Sequence, residues 1–243
     1  MKNSFQRKEI KFLLNTYQYN ELLTAIEQHM NPDKYCEDKD EYHVFNIYYD
    51  THDDYLIRTS LQKPYYKEKL RLRSYCANTQ PDDKVFLEIK KKIGGIVNKR
   101  RVVMTLEQAE HYLETRERPE CKKYIQTKVF DEIDAFLDRY DVSEKQYISY
   151  IRSAWFGKDD SDFRITFDRA ITTRRYDLGL NIDSYGEQLI NFGEYLLEVK
   201  IRNTMPMWLA KKLAELKIYK ISFSKYGRAY KNHVLSEPTR KYA

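Results

Sequence analysis

The chain has 243 residues, of which 42% are hydrophobic and 33% are charged, and it contains only 7 Gly and 6 Pro. This composition excludes a disordered or low-complexity chain and allows one domain with a sizeable core. The formal net charge of +6 favours anionic partners, and three cysteines without CxxC spacing argue against a disulfide framework or a structural zinc site.

The chain contains no signal for membrane insertion or secretion. No apolar run approaches the roughly 18 to 20 residues that cross a bilayer, and the N-terminal segment MKNSFQRKEIKF lacks the apolar core of a signal peptide. We therefore expect a cytoplasmic protein with reduced thiols and no membrane segment of its own. A separate membrane partner is compatible with this expectation.

The first half of the chain reads as a series of strands with short helices between them. In chain order the pattern predicts a strand over 5–14, a helix over 19–30, a strand over 42–50, a helical segment over 53–61, and strands over 65–76, 84–93 and 96–104. The pair Gly94-Gly95 separates the last two strands and is a hairpin signal, so an antiparallel meander is expected here.

The second half begins with helices and then returns to strands. Thr105 with Gln108 three residues later has the form of a helix start, and this helix is expected to end near Thr115. The remaining pattern predicts a helix over 122–140, strands over 146–156, 162–169, 170–177 and 192–202, a helix over 206–216 with Pro206 in its first turn, an ordered segment over 222–234, and a frayed tail over 236–243.

Strands that lie before and after a helical insert, without βαβ alternation, indicate an α+β fold with a largely antiparallel sheet. About eight or more strands are enough to close a barrel. We predict a single domain over residues 1–235 and see no internal repeat, linker or low-complexity block that would divide it.

Five stretches of the chain place charge on alternate residues. Because side chains of a strand alternate between its two faces, each stretch gathers its charges on one face and its apolar residues on the other. The charged sets are Arg7/Glu9/Lys11, Lys67/Lys69/Arg71/Arg73, Glu88/Lys90/Lys92, Asp162/Arg164/Asp168 and Glu194/Glu198/Lys200/Arg202.

For a single strand, such a face usually points to solvent. Five of them, with the clustered arginines of RLR, favour a different arrangement, because like charges on solvated faces are normally dispersed. We predict that the charged faces line an enclosed basic lumen and that the apolar faces lie outward under amphipathic helices. In that lumen Glu9, Glu88 and Glu198 are candidate oxygen ligands that hold Mg²⁺ or Mn²⁺ against bound phosphates.

Short motifs along almost the whole chain carry a family resemblance. They are FQRKEIKF, NIYYD, KLRLRSY, FLEIKKK, KRR, YIRSAW, FRITFD, YLLEVKIR and SFSKYGRAY, in this order. Together they resemble the VTC domain, the polyphosphate polymerase module of the vacuolar transporter chaperone complex, within the triphosphate tunnel metalloenzyme superfamily. The resemblance implies an antiparallel β-barrel tunnel of about eight strands with a charged lumen, in a free-standing, bacterial version of the domain.

Carried over by position, the resemblance assigns roles to individual residues. It implies catalytic roles for Arg71, Arg73, Lys90 and Arg152, phosphate or ATP binding by Lys11, Lys99, Arg164, Lys200, Ser224 and Lys225, and metal binding by Glu198 and Glu9. Arg7 stands where the wider family has the first acid of its opening ExExK motif, so only Glu9 of that pair remains.

Several of these assignments have plain alternatives. Arg152 and Arg164 could be ordinary arginines of surface strands. A slip of one residue in strand register would turn Lys99 and Arg101 away from the lumen and turn Arg100 toward it. Without a slip, Arg101 shares the face of Lys99 and could take its role. Ser224 could simply cap the last helix.

The function that the resemblance implies is transfer of the γ-phosphoryl group of ATP to phosphate or polyphosphate, with Mn²⁺ or Mg²⁺ as cofactor. Two alternatives stay open at this point. The same tunnel could hydrolyse inorganic or nucleoside triphosphates, or the protein could be a non-catalytic binder of polyphosphate or nucleic acid that uses its basic surface and its 22 tyrosines. ATP and polyphosphate are the expected partners, and nucleic acid is not.

Overall fold

The computed structural model of the protein describes residues 8–33, 36, 41–121, 123–202 and 204–236, which form eleven strands and six helices. The strands are β1 (Lys8–Leu14), β2 (Met30–Pro32), β3 (Tyr42–Thr51), β4 (Tyr66–Ser74), β5 (Lys84–Ile93), β6 (Ile96–Thr105), β7 (Val142–Gly157), β8 (Arg164–Arg174), β9 (Glu187–Gln188), β10 (Tyr195–Ile201) and β11 (Lys220–Ile221). The helices are α1 (Thr16–His29), α2 (Tyr55–Leu61), α3 (Leu106–Thr115), α4 (Tyr124–Arg139), α5 (Met207–Glu215) and α6 (Lys225–Ser236).

Most predicted elements are present with small shifts at their ends. The start of α3 is confirmed, because the N–H of Gln108 donates to Oγ1 of Thr105 at 3.2 Å and the N–H of Thr105 donates to Oε1 of Gln108 at 3.1 Å. Of the predicted first strand and tail, residues 5–7 and 237–243 lie outside the described residues, and Ser236 is the last residue of α6.

The two strands predicted over 162–169 and 170–177 are instead one strand, β8. Ala170 within it has φ +48°. A single left-handed residue breaks the regular alternation of side chains, as a bulge does, and this break explains why the sequence pattern suggested two strands.

The chain forms two compact units, and the first consists of residues 1–43, 150–171 and 188–223. Its strand order is β11-β1-β10-β8-β7, with β2 on β7, and the registers of β1, β2, β10 and β11 with their partners are antiparallel. One face of these strands packs against α1 and α5. Its buried members include Phe12, Ile165, Phe167, Leu197 and Val199 from the strands, and Leu22, Ile26, Leu209 and Leu213 from the helices.

The second unit consists of residues 44–149, 172–187 and 224–243, so β3, β7, β8 and β9 contribute residues to both units. Its strand order is β7-β3-β4-β5-β6. The pairs β3–β4, β4–β5 and β5–β6 are antiparallel. The apolar face of these strands packs against α2, α3 and α4. Its buried members include Ile47, Leu70, Leu72, Leu87, Ile89 and Val102 from the strands, and Leu56, Tyr112, Phe130 and Ile133 from the helices.

The predicted α+β fold with a large antiparallel sheet is confirmed, and within each unit the apolar strand faces lie under helices as expected. The closed barrel is not confirmed: in the described part of the chain, strand pairing ends at β11 in the first unit and at β6 in the second and leaves the sheet open. The two end strands give the physical reason. β11 has 2 residues, and β6 carries Lys99, Arg100 and Arg101, and short or charged strands resist further pairing at a sheet edge.

Among the described residues, none of the helices combines the length and the apolar character needed to span a membrane.

Candidate functional site

The face of β4, β5 and β6 opposite to the core of the second unit carries a dense set of cations. The register places Arg71 opposite Glu88 and Glu88 opposite Arg101, and it places Lys69 opposite Lys90 and Lys90 opposite Lys99. We call this surface the cationic face and define it by Lys69, Arg71, Arg73, Lys90, Lys99, Arg101 and Glu88. A single carboxylate therefore lies among the cations of this set.

Glu88 is at the centre of the ion pairs on the cationic face. Its Oε2 is 2.6 Å from Nε of Arg71 and 3.9 Å from Nε of Arg73, while its Oε1 is 2.5 Å from Nζ of Lys99 and 4.0 Å from Nη1 of Arg101. Burial opposes ionisation of this carboxyl, but the cations outweigh burial and hold the pKa of Glu88 well below its usual range. Metal binding by Glu88 stays a prediction, and in this structure both of its carboxylate oxygens lie within 4.0 Å of cations of the protein.

Two further side chains hold the arginines of this face in place. Nε of Arg73 donates to Oδ1 of Asn46 at 2.8 Å, and Nδ2 of Asn46 in turn donates to the carbonyl oxygen of Ile148 at 2.9 Å. Nη1 of Arg71 donates to the hydroxyl of Tyr48 at 3.1 Å. The guanidinium groups are thus positioned by fixed contacts before any ligand binds, which lowers the cost of ordering them around an anion.

Burial and the neighbouring cations together shift the pKa values of several groups on the cationic face. Burial would raise the pKa of Tyr48, but Arg71 and Arg73 outweigh it and lower that pKa to about 8. Burial lowers the pKa of Lys69 to about 8, with help from Lys67 and Lys90, and it lowers the pKa of Lys99 to about 7, with help from Arg71 and Arg73. Such a surface favours a bound polyanion, which would stabilise the protonated amines.

In the first unit, charged residues also share the strand face opposite to the core. The register places Lys11 opposite Glu198 and Glu198 opposite Thr166, and it places Glu9 opposite Lys200 and Lys200 opposite Arg164. We call this surface the mixed face, because carboxylates and cations alternate on it, and define it by Glu9, Lys11, Arg152, Arg164, Asp168, Glu198 and Lys200.

Arg152 is the most constrained cation of the mixed face. It is 8% exposed, and its Nε and Nη2 donate to the two carboxylate oxygens of Asp168 at 2.6 and 2.7 Å. Its Nη2 is also 3.7 Å from Oε2 of Glu198. Burial disfavours the charge, but Asp168 outweighs burial and keeps the pKa of Arg152 above its ordinary value, so the guanidinium stays ionised.

The lysines and Arg164 complete the mixed face. Nζ of Lys11 lies 3.0 Å from Oε1 of Glu198 and 3.3 Å from Oε1 of Glu9, while Nζ of Lys200 lies 3.9 Å from Oε2 of Glu9. Burial lowers the pKa of Lys200 to about 8, although Glu198 and Glu9 oppose the shift. Arg164 pairs through Nη2 with Oδ2 of Asp33 at 3.0 Å.

The mixed face offers two carboxylates to a metal ion, which suits a site that shares the ion with water and substrate phosphates. The described residues contain no group of three or more His, Cys, Asp or Glu that could hold a metal ion by themselves. Glu198 and Glu9 both contact Nζ of Lys11, so two carboxylates are close to one point. Mg²⁺ and Mn²⁺ commonly use one or two carboxylates and complete their shell with water and substrate phosphates, and these residues fit that mode.

The start of α6 contains the last two predicted site residues. Oγ of Ser224 accepts from the N–H of Gly227 at 3.2 Å, and its carbonyl oxygen accepts from the N–H of Arg228 at 2.7 Å. Ser224 therefore caps α6. Phosphate binding by its exposed side chain stays a prediction. Lys225 is the first residue of α6 and is half-buried.

The strand registers bring most predicted site residues onto two faces. Arg71, Arg73, Lys90 and Lys99 share the cationic face, and Lys11, Arg152, Arg164, Lys200, Glu9 and Glu198 share the mixed face. The register slip between Lys99 and Arg100 does not occur, because Arg100 points to the other side and pairs with Glu132 of α4 at 3.0 Å.

Four residues without an assigned site role also contribute to these faces. They are Lys69, Asp168, Asn46 and Tyr48. The alternating charge stretches placed Lys69 and Asp168 on the predicted charged faces but gave neither residue a role. Asn46 and Tyr48 lie in the NIYYD motif, but only the register of β3 with β4 pairs them with Arg73 and Arg71.

Comparisons with known proteins identify the kind of fold. The family model described as "VTC domain" matches residues 6–234. No curated protein matches the chain. A putative adenylate cyclase from Bacillus halodurans has 14% sequence identity and a TM-score of 0.52, with 90% of this chain and 95% of that chain covered. The putative adenylyl cyclase HpAC1 from Hippeastrum, described as having a dominant triphosphatase activity, has 18% identity and a TM-score of 0.51, with 92% and 95% covered. At these identities, both structures are similar to this chain in fold alone.

Proposed function

We propose that this chain, which belongs to the VTC domain family of the triphosphate tunnel superfamily, is a polyphosphate polymerase that transfers the γ-phosphoryl group of ATP to phosphate or polyphosphate and releases ADP. One observation carries the proposal: the cationic face gathers Lys69, Arg71, Arg73, Lys90, Lys99 and Arg101 around the single carboxylate of Glu88. A linear polyanion is the ligand that this excess of charge favours most.

The residues of the cationic face suit phosphoryl transfer without a covalent intermediate. The transition state is loose and spreads charge over the equatorial oxygens, so positioned cations can supply most of the catalysis. Arg71 and Arg73 are held by Glu88, Tyr48 and Asn46 before substrate binds, and guanidinium groups form strong, charge-assisted hydrogen bonds with phosphate oxygens. Lys90 and Lys99 add point charges on the neighbouring strands.

The residues of the mixed face suit the binding of further phosphates together with a metal. Glu198, with Glu9, would hold Mg²⁺ or Mn²⁺, which when bound neutralises phosphate charge and polarises the phosphorus centre. Lys11 and Arg152 contact Glu198 and orient its carboxylate. Arg164 and Lys200 supply positive charge on the same face for phosphate oxygens, and Ser224 and Lys225 are proposed to bind phosphate at the start of α6.

A triphosphatase is the second candidate function. The same residues would bind a triphosphate, and water in place of the acceptor phosphate would give hydrolysis, so the two reactions differ in the exclusion of solvent rather than in residue type. The activity described for HpAC1, which has a similar fold, favours testing this reaction in parallel. A non-catalytic polyphosphate binder would have the same faces and no turnover.

The products formed from ATP decide among these functions. The full chain would be incubated with ATP and Mn²⁺ or Mg²⁺, with and without a short polyphosphate primer, and the products separated on a gel and assayed for free phosphate. Phosphate chains that lengthen with time support the polymerase. Free phosphate without chains supports the triphosphatase, and binding of polyphosphate without ADP release at any metal concentration supports the binder.

We further propose that residues 1–235 act as one catalytic domain in the cytoplasm, and that export of the product would require a separate membrane partner. Expression of the full chain with ATP as the sole nucleotide tests the first part, because a domain that is complete needs no second protein for turnover. A requirement for an added protein would contradict it.

A further inference from the structure

Lys69 lies on the cationic face, as its charged stretch predicts, but the family resemblance assigned it no binding role. It is half-buried on β4, two residues before Arg71, and the register places it opposite Lys90. Within the described residues, no carboxylate forms an ion pair with Lys69, in contrast to Arg71 and Lys99, which both contact Glu88. A half-buried amine without a carboxylate partner is costly unless a ligand supplies the counter-charge.

An aromatic side chain holds the amine in place. Nζ of Lys69 lies 5.4 Å from the centre of the Tyr226 ring, a distance at which the ring face attracts a cation. The Tyr226 ring also stacks on Tyr48 with ring centres 4.8 Å apart, and Tyr48 contacts Arg71. The amine of Lys69 and the guanidinium of Arg71 are therefore supported by the same pair of stacked rings.

Tyr226 itself is fixed by a buried hydrogen bond. Its hydroxyl donates to Oδ2 of Asp50 at 2.7 Å, and the carboxylate of Asp50 also accepts from the backbone N–H groups of Thr51, Leu56 and Ile57 at 2.8 to 2.9 Å. Asp50 is fully buried. With these four donors its carboxylate is committed to α2 and α6, so it orients Tyr226 and does not serve as an ion-pair partner for Lys69.

We propose that Lys69 binds a phosphate of the substrate directly, and that Tyr226, anchored by Asp50, is the positioning residue that presents its amine. The inference rests on the proposed function and adds a binding residue to the same face. The ligand class is a linear phosphate polyanion, since Lys90 lies opposite Lys69 and Lys99 lies opposite Lys90 across three adjacent strands.

Phosphate binding at Lys69 should be coupled to proton uptake. The ionisable groups around Lys69 are Lys67 and Arg71 on its own strand, Lys90 on β5, Tyr48 and Asp50 on β3, and Tyr226 on α6. Burial, Lys67 and Lys90 lower the pKa of Lys69 to about 8, and Tyr48 and Asp50 oppose them. A bound phosphate stabilises the charged amine, so binding near pH 8 should take up to about half a proton onto Lys69.

Titration calorimetry with inorganic tripolyphosphate tests this inference on the full chain. Binding would be measured at pH 8 without metal, in two buffers of different ionisation enthalpy, so that affinity and proton uptake are obtained together. The variants are Lys69→Met and Lys69→Arg, with Lys91→Met as the matched control, because Lys91 lies on the opposite face of β5 and pairs with Glu132. Melting temperatures without ligand would show whether each variant folds.

We expect Lys69→Met to weaken tripolyphosphate binding about tenfold or more, the loss typical of a charge-assisted hydrogen bond. Lys69→Arg should keep affinity within about threefold but take up fewer protons than the wild type, because a guanidinium does not titrate at this pH. Lys91→Met should match the wild type in both measures.

Unchanged affinity and proton uptake in Lys69→Met would overturn the assignment while leaving the proposed function standing. If Lys69→Met does not fold, the proton uptake of Lys69→Arg decides alone, and uptake equal to that of the wild type overturns the assignment. Failure of the wild type itself to bind tripolyphosphate would instead overturn the proposed function, and this inference with it.

Discussion

Arg71 and Glu88 lie directly opposite each other in the register of β4 and β5, and Nε of Arg71 is 2.6 Å from Oε2 of Glu88. The pairing of the two strands therefore holds Arg71 next to Glu88, so the contact does not depend on a chance conformation of a flexible side chain. Glu88 is 1% exposed and also contacts Lys99, so one buried carboxylate is the counter-charge for several cations. The stability of the cationic face depends on this residue more than on any one of its cations.

Glu88→Gln should destabilise the protein far more than Arg71→Met. The amide leaves Arg71 and Lys99 without their carboxylate, and removal of one partner from a buried ion pair typically costs about 3–5 kcal/mol of the free energy of unfolding. Arg71→Met leaves Glu88 paired with Lys99, so its cost should be smaller. Urea denaturation of both variants measures the difference.

Tripolyphosphate provides the control for this explanation. If unpaired positive charge causes the loss, the anion should restore more of the melting temperature to Glu88→Gln than it adds to the wild type. Equal stability of Glu88→Gln and the wild type would show that Glu88 is not the counter-charge of the face.

Lys99 and Arg100 are adjacent cations on opposite faces of β6, and this makes them a matched pair. Lys99 contacts Glu88, while Arg100 contacts Glu132 of α4. Lys99→Met should therefore lower turnover of ATP about tenfold or more, whereas Arg100→Met should leave turnover within about twofold and change stability by at most about 1 kcal/mol. Steady-state rates and denaturation curves check the two expectations. A larger loss of turnover in Arg100→Met than in Lys99→Met would contradict the placement of Lys99, and not Arg100, on the substrate-binding face.

The sequence could predict which residues share a face, because alternation is a property of each strand. It could not predict which residues lie opposite each other, because register depends on turns and on the packing of both strands. For this reason the sequence placed Lys11, Arg71, Glu88, Lys90 and Glu198 on charged faces correctly. It could not show that Glu88 lies opposite Arg71. Ala170, with its positive φ, is a further case, because no local sequence signal marks a left-handed alanine.

For a related reason, the sequence could not show whether the sheet closes into a barrel. The number of strands can be counted from the sequence, but closure requires that the first and last strands pair, and this depends on their length and charge. The two residues of β11 gave no sequence signal of a strand. The charges of β6 were interpreted as phosphate ligands, although charged residues are also typical of a strand at the edge of a sheet.

Stability should rise with pH between about 7 and 10 in the ligand-free protein. The folded-state pKa values of Lys69, Lys99 and Lys200 are about 8, 7 and 8, below the value of about 10.4 for an unfolded lysine, so the unfolded state binds more protons in this window. Tyr48, with a pKa of about 8, acts in the same direction.

Melting temperatures from pH 7 to pH 9.5 in a phosphate-free buffer measure this dependence. The rise should become smaller in the presence of tripolyphosphate, because the bound anion stabilises the protonated lysines and its benefit is largest at low pH. A melting temperature that falls steadily over this range without ligand would contradict the lowered pKa values of Lys69, Lys99 and Lys200.

Glu198→Gln should raise the metal concentration needed for activity while preserving the fold. The amide keeps the size of the side chain, and its one oxygen can still accept from Lys11 or from Arg152, but it is a poorer ligand for a hard divalent cation. We expect the Mn²⁺ concentration at half-maximal rate to rise about tenfold or more. Glu41→Gln is the control, because Glu41 belongs to the same unit and pairs with Arg169. An unchanged metal dependence in Glu198→Gln would remove Glu198 from the metal site.

Ser224 has two proposed roles, and two substitutions separate them. Ser224→Ala removes the oxygen that accepts from the N–H of Gly227 and should cost about 0.5–2 kcal/mol of the free energy of unfolding. Ser224→Asp keeps a good helix cap but places a negative charge at the start of α6. If Ser224 also binds phosphate, Ser224→Asp should retain the wild-type melting temperature and weaken tripolyphosphate binding about tenfold. Wild-type affinity in Ser224→Asp would leave the cap as the role of this residue.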